Sequence, residues 1–168
     1  SDLHSGIFGG SVANPAMVLA QLLAKMRDTS GRIKIPGFYD DVRELTPEER
    51  AEWQKLPWSD KRYMKELGAP KLFGETGFTT LERKWGRPTF EVNGLLSGFT
   101  GEGAKTVLPA VAMAKVSMRL VPDQHPDKIA EQFEAYVKDI APKTVEVKVT
   151  RMHGGKPWMA DFDNTYVR

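Results

Sequence analysis

The clearest structural signal in the chain is carried by residues 110–150, AVAMAKVSMRLVPDQHPDKIAEQFEAYVKDIAPKTVEVKVT. Residues 110–121 alternate between apolar and polar side chains, which predicts a strand with one buried face. A helix is predicted next, opened by Pro126 and closed by Pro142. Residues 145–150 then alternate valine with polar residues and predict a second half-buried strand. A strand, a helix and a strand in succession favour a mixed α and β domain.

The sequence before this stretch supplies the other elements of the same domain. Residues 89–93 alternate and predict a further strand, which a glycine-rich loop follows. Asn14-Pro15 stands before an apolar repeat at helical spacing, which predicts a helix capped by Asn14. The expected fold is α+β, a ferredoxin-like two-layer sandwich with an antiparallel sheet of about four strands and two helices on one face.

Residues of about 38–77 differ from this pattern because they are rich in charge. Thr46-Pro47-Glu48-Glu49 is typical of a helix start, with acidic residues in the first turn. We therefore expect one domain over residues 1–168, with a partly helical insert at about 38–77. The first residues, Ser1 to Gly6, have neither an initiator Met nor a signal-peptide pattern, which favours a segment from within a longer protein.

Composition limits the classes of function. The 168 residues carry 24 Lys+Arg and 22 Asp+Glu, a formal net charge of +2, which gives no argument for nucleic acid or an anionic membrane as partner. The chain has no cysteine, which excludes disulfides, thiolate zinc sites and a cysteine nucleophile. No apolar run approaches the length of a membrane-spanning helix.

Familiar catalytic motifs are not found in the sequence. The three histidines, His4, His125 and His153, are too far apart in sequence for a helical metal motif, so no metal site is predicted. Residues 98–106 resemble a phosphate-binding loop, but Ala104 interrupts the motif and a strand pattern, rather than a helix, follows it. No Gly-x-Ser-x-Gly elbow is present for a serine nucleophile.

Three polar residues stand in unusual surroundings. His4 lies in a glycine-rich start, Thr106 ends the glycine-rich loop, and Arg119 lies in the middle of a strand between Met118 and Leu120. Arg119 is open to two interpretations, a solvated strand face or a guanidinium that binds a carboxylate in a bidentate manner. From the residues alone, Thr106 is equally well explained as the entry to a strand.

Several blocks of sequence, in order along the chain, resemble the zinc metallopeptidases of clan MH. The resemblance is to the carnosinase and cytosolic dipeptidase branch of the aminoacylase/carboxypeptidase-G family. The blocks are SDLHSGIFGG (1–10), NP (14–15), GRIKIPGFYD (31–40), RPTF (87–90), GAKTVLP (103–109), RLVP (119–122) and GGKPW (154–158).

The resemblance implies a lid, or dimerisation, domain that interrupts a larger catalytic domain holding two zinc ions. It implies that His4 stabilises the oxyanion in the partner subunit, that Arg119 holds the terminal carboxylate of the substrate, and that Thr106 hydrogen-bonds substrate across the dimer. The chain itself would hold no metal and would be inactive alone.

The resemblance further implies a cytoplasmic homodimer that hydrolyses dipeptides or short peptides with a free carboxyl end. Two alternatives stay open: a non-catalytic ferredoxin-like binding or dimerisation module, and a peptidase relative kept only for dimerisation.

Overall fold

The computed structural model describes residues 1–159 and confirms the α+β class. Residues 160–168, the end of the predicted domain, lie outside the described part of the chain. The strands are β1 (Leu3–His4), β2 (Thr89–Ser97), β3 (Val107–Leu108) and β4 (Ala112–Arg119). The helices are α1 (Ser5–Phe8), α2 (Pro15–Ala24), α3 (Pro47–Gln54), α4 (Asp60–Leu67), α5 (Thr80–Trp85) and α6 (Pro126–Ile140).

Local sequence explains where the helices begin. Asn14 caps α2 by accepting a hydrogen bond from the amide of Ala16 at 2.9 Å, and Pro15 opens the helix as predicted. Thr46 and Glu49 form a reciprocal capping box at the start of α3. Pro126 opens α6, and His125 precedes it without a side-chain capping bond. The predicted starts of α2, α3 and α6 are therefore confirmed.

The strands pair differently from the expected single sheet. Within residues 1–159, β2 pairs only with β4 and β1 only with β3, so two antiparallel two-stranded sheets replace one sheet of about four strands. The predicted strand at residues 145–150 is wrong, because this stretch has no strand pairing. Val147 and Val149 nevertheless pack against the core. Alternation reports which side chains are buried, whereas a strand also needs a neighbouring edge in register.

The core lies between α6, β2 and residues 26–38, the segment that follows α2. Its buried members include Met26 and Phe38, each only 1% exposed, together with Ile33, Ile35, Phe90, Ile129 and Val137. The half-buried face of β4 packs against this cluster through Val116 and Met118. Burial of apolar surface at about 25 cal/mol per Å² makes this cluster the main source of stability.

Two helices, α3 and α4, lie within the predicted insert. The helix α5 follows this region and was not predicted, although Thr79 and Glu82 form a capping box at its start. No helix in the described part of the chain is both long and apolar enough to cross a bilayer.

Candidate functional site

The structure brings together two of the three predicted site residues, His4 and Thr106. His4 ends β1 and lies opposite Val107 of β3. The Oγ1 atom of Thr106 lies 3.1 Å from the Nε2 atom of His4, and both side chains are exposed. Residues separated by about a hundred positions in sequence thus form one polar pair at the surface.

Backbone hydrogen bonds hold this His4–Thr106 pair in place. The amide of Ser5 donates to the carbonyl of Thr106 at 3.2 Å. The amide of Ala110 donates to the Oδ1 atom of Asp2 at 2.8 Å, which fastens the other end of the short β1–β3 sheet. His4 also caps α1, because its Nδ1 atom accepts from the amide of Gly6 at 3.1 Å. The imidazole is therefore fixed on both of its nitrogen atoms.

Arg119, the third predicted residue, lies away from this pair. It is the last residue of β4, paired with Thr89, whereas β3 leads into the opposite end of β4 at Ala112. Ala112 and Arg119 are seven residue steps apart along the strand, which corresponds to about 24 Å at a rise of about 3.4 Å per residue. The structure therefore defines two places of interest at opposite ends of β4.

The Arg119 guanidinium is oriented by backbone carbonyls near the end of α5. Its Nη2 atom donates to the carbonyl of Arg83 at 2.7 Å and to that of Arg87 at 3.4 Å. Carbonyl groups at a helix end lack intrahelical partners and carry partial negative charge, so a cation is favourable there. Within the described residues 1–159 these bonds engage only Nη2, so the other N–H groups of the guanidinium can bind a carboxylate.

A buried ion pair supports those carbonyls. Arg87 donates to both oxygens of Glu75, at 2.7 Å and 2.8 Å, and the two side chains are only 4% and 9% exposed. Arg83 donates from Nε to the carbonyl of Glu75 at 2.9 Å. Burial alone would lower the pKa of the Arg87 guanidinium, but its hydrogen bonds to Glu75 outweigh that effect and hold this pKa above its ordinary value.

A cleft of about 400 Å³ lies around Arg119, within the size range of small-ligand sites. Its lining contains six basic side chains and two acidic ones, Glu75 and Glu91. The basic ones are Arg27, Lys71, Arg83, Lys84, Arg87 and Arg119. Lys84 lies over the rings of Trp58 and Tyr63, 4.9 Å and 4.7 Å from their centroids. This excess of positive charge favours an anionic group in the cleft.

The glycine-rich loop joins β2 to β3 rather than a strand to a helix. Gly98 and Gly103 have φ angles of 75° and 85°, left-handed values that other residues rarely adopt. The strand predicted after the loop is confirmed by β3. The helix N-terminus that a phosphate-binding loop requires does not follow here.

The donor set of residues 1–159 does not fit a metal centre. No group of three or more His, Asp or Glu side chains converges anywhere in that range. Its buried carboxylates are already paired with arginines, Glu75 with Arg87 and Glu82 with Arg50. Chemistry that needs zinc is therefore not assigned to any of these side chains.

Comparison with known proteins identifies the family. A family model described as "Peptidase dimerisation domain" matches residues 1–145. The chain belongs to this peptidase dimerisation domain family. The resemblance to the dimerisation domain of the clan MH metallopeptidases, stated from the sequence, is thereby confirmed.

The relatives of this dimerisation domain are metallopeptidases. It is 32% identical over 171 residues to the Cys-Gly metallodipeptidase of Schizosaccharomyces pombe, covering 98% of this chain and 35% of that protein. The crystal structure of human carnosine dipeptidase 1 matches with a TM-score of 0.86 and 31% identity, over 99% of this chain and 36% of the other. An M20 family metallo-carboxypeptidase from Sulfolobus solfataricus matches with a TM-score of 0.74 and 39% identity, over 82% of this chain and 36% of the other. The chain thus spans about a third of the length of these relatives.

Several residues of this dimerisation domain that position the predicted ones were missed by sequence reasoning. Gly6 binds the His4 ring, and Glu75, Arg83 and Arg87 support Arg119. Gly6 follows His4 by two residues, the spacing at which a capping side chain meets a backbone amide, so this partner could have been found. The Glu75–Arg87 contact depends on how the insert region folds back, and no local pattern reports that.

Proposed function

We propose that this domain is the dimerisation and substrate-capping part of a zinc-dependent dipeptidase. The parent protein would hydrolyse peptide bonds in dipeptides or short peptides that have a free carboxyl end. Membership of the peptidase dimerisation family and the names of its relatives support a metallodipeptidase parent. The observation that carries the proposal is the exposed His4–Thr106 pair, two hydrogen-bonding side chains held rigidly on a short sheet.

Each predicted residue has a chemical role in this proposal. His4 and Thr106 stabilise the oxyanion of the tetrahedral intermediate and hold the substrate, because fixed donors aimed at developing charge lower the barrier to acyl transfer. Arg119 binds the terminal carboxylate of the substrate with its guanidinium fork. The basic lining of the surrounding cleft supports this assignment.

The separation of these residues indicates how the active site is shared. Arg119 and the His4–Thr106 pair lie at opposite ends of β4, whereas an extended dipeptide spans only about 7 Å. We therefore propose that the two groups of one subunit do not bind the same dipeptide. In a homodimer, Arg119 of one subunit binds the carboxylate, while His4 of the other subunit stabilises the oxyanion and its Thr106 hydrogen-bonds the substrate.

The parent protein would supply the remaining parts of the active site. A catalytic domain of the parent protein would hold the zinc ions and supply the metal-activated hydroxide. Residues 1–168 would form its lid, with the insert at about 38–77 covering the carboxylate cleft. We also propose a cytoplasmic location for the parent protein, with which the cysteine-free sequence of this chain is compatible.

The direct test is His4→Ala in the parent protein. We expect kcat to fall by about 10²–10³-fold, the effect of losing one oxyanion donor, with a smaller change in KM. His125→Ala is the matched control, because His125 precedes α6 without a capping bond and lies outside the proposed site. Unchanged turnover in His4→Ala would remove His4 from the mechanism and favour a domain that serves association alone.

A further inference from the structure

We infer that the hydrogen bonds of the His4–Thr106 pair run in one direction, from the Gly6 amide through the imidazole to the threonine hydroxyl. The threonine hydroxyl then has its proton free for a ligand, and the ligand group expected there is an acceptor oxygen such as a carbonyl or an oxyanion. The direction of the hydrogen bonds follows from the structure of this chain alone. That the oxygen belongs to a scissile peptide bond rests on the proposed function.

The contact with the Gly6 amide determines the protonation state of the His4 ring. The Gly6 amide can only donate, and its nitrogen lies 3.1 Å from the Nδ1 atom of His4. Nδ1 must therefore be the acceptor and carries no proton. In a neutral imidazole one nitrogen accepts and the other donates, so the proton lies on Nε2.

The proton on the imidazole determines the direction of the hydrogen bond between His4 and the Thr106 hydroxyl. With its proton on Nε2, His4 donates to the Oγ1 atom of Thr106 across 3.1 Å. The hydroxyl is then the acceptor in this bond, and its own proton is not used within the pair. A hydroxyl has one proton to donate, and Thr106 is exposed, so that proton is available to a ligand.

Gly6 is the positioning residue of this arrangement. A Cβ atom at position 6 would lie 3.0 Å from Cε1 and 3.2 Å from Nδ1 of His4, tighter than normal packing. A larger residue would require the ring to shift by a few tenths of an ångström, which would weaken its contact with the amide. The absence of a side chain at Gly6 thus lets the backbone approach the imidazole closely enough to set its tautomer.

These hydrogen bonds restrict the chemistry that the His4 side chain can perform. When Nδ1 is bound to an amide and Nε2 carries a proton, His4 has no free lone pair with which to remove a proton. It can stabilise negative charge on oxygen, but it cannot serve as a general base. A ligand oxygen that displaces Thr106 from Nε2 accepts a hydrogen bond from the Nε2–H group of His4.

The test is nitrogen-15 NMR on the 168-residue chain, at alkaline pH where imidazoles are neutral. We expect His4 to populate only the Nε2–H tautomer, with a through-bond coupling between its Nδ1 atom and the Gly6 amide nitrogen. His153, exposed in the same chain, is the internal reference for an unconstrained mixture of tautomers. The inference is overturned by an Nδ1–H tautomer at His4, or by a tautomer population equal to that of His153.

Two variants show whether Gly6 sets this state. Gly6→Ala is expected to abolish the coupling and to move the His4 tautomers toward the mixture seen at His153. His4→Ala is expected to speed exchange of the Gly6 amide about fivefold, the effect of losing one net hydrogen bond. Amide protection of Leu108 reports whether β1 and β3 still pair in each variant. Preserved coupling in Gly6→Ala, or unchanged Gly6 exchange in His4→Ala with β1 and β3 still paired, would contradict the role of Gly6.

An activity measurement in the parent protein extends the test. Thr106→Val removes the hydroxyl and is expected to lower kcat about 10²-fold, while Thr106→Ser, which retains a hydroxyl, recovers most of the loss. If the NMR result holds but neither variant changes kcat, the direction of the hydrogen bonds stands and the proposed role in catalysis fails. If the NMR result fails, the inference fails whatever the activity.

Discussion

At the scale of single residues, backbone groups orient two of the polar side chains of interest. His4 rests on the Gly6 amide, and Arg119 rests on the carbonyls of Arg83 and Arg87. Backbone groups of this kind are fixed by secondary structure, so they orient a side chain at little further entropic cost. Rigid orientation before substrate binds is what transition-state stabilisation requires.

The role of Arg119 leads to a prediction about the parent enzyme. Arg119→Lys keeps the charge but loses the planar fork, and we expect kcat/KM for a substrate with a free carboxyl end to fall roughly 10–100-fold. The loss should appear mainly in KM, because a terminal carboxylate keeps its charge throughout the reaction. Steady-state kinetics on matched free-acid and C-terminally amidated peptides measure this. Equal losses on both peptides would contradict carboxylate binding.

At the scale of elements, the Glu75–Arg87 ion pair ties the insert region to the start of β2. Arg87→Met leaves the buried Glu75 carboxylate with only the longer 3.5 Å contact to the half-exposed Arg32, and we expect unfolding free energy to fall by about 3 kcal/mol. The control is Arg62→Met, which breaks an exposed pair with Glu66 on α4 and should cost about 0–1 kcal/mol. Urea denaturation of the 168-residue chain measures both, and equal losses would mean that the buried pair has no special role.

The start of α3 carries an acid-sensitive contact. Hydrogen bonds from Arg43 hold the pKa of Glu49 below its ordinary value of 4.5, and the amide of Thr46 adds to the effect. Because this pKa is lower in the folded than in the unfolded chain, the stabilisation is present above pH 4.5 and is lost as pH falls through the folded value.

Glu49→Gln should therefore flatten the loss of stability below about pH 4.5 while lowering stability at neutral pH. Glu48→Gln is the control, since Glu48 is an exposed acidic residue in the same helical turn. Thermal unfolding between pH 3 and pH 7 makes the comparison. Identical pH profiles for Glu49→Gln and the unmodified chain would contradict the assignment.

Elements were predictable from sequence where local chemistry determines them. Asn14, Thr46 and Pro126 mark helix starts by their own capping chemistry, and alternation located β2 and β4. The pairing of strands was not predictable, because alternation at residues 145–150 reports buried valines and says nothing about a partner edge. His4, Thr106 and Arg119 were identified through the family resemblance, and their grouping into two places needed the three-dimensional structure.

At the scale of the whole molecule, the proposed active site requires a dimer. The chain belongs to a peptidase dimerisation family and spans about a third of its relatives. Within one subunit, Arg119 lies at the end of β4 opposite to the end that β3 joins. We therefore propose that each active site of the parent enzyme takes these residues from both subunits, in the reciprocal manner that a two-fold axis imposes.

Mixed dimers of the parent enzyme test this claim most directly. One subunit carries His4→Ala and the other Arg119→Met, each with its own affinity tag, and the mixed dimer is purified over both tags. We predict that both pure mutant dimers are nearly inactive, whereas the mixed dimer shows about half of the unmodified activity, because one of its two sites then has an intact His4 and an intact Arg119. A mixed dimer as inactive as its parents would contradict the shared site, since it would place both residues at one site in the same subunit.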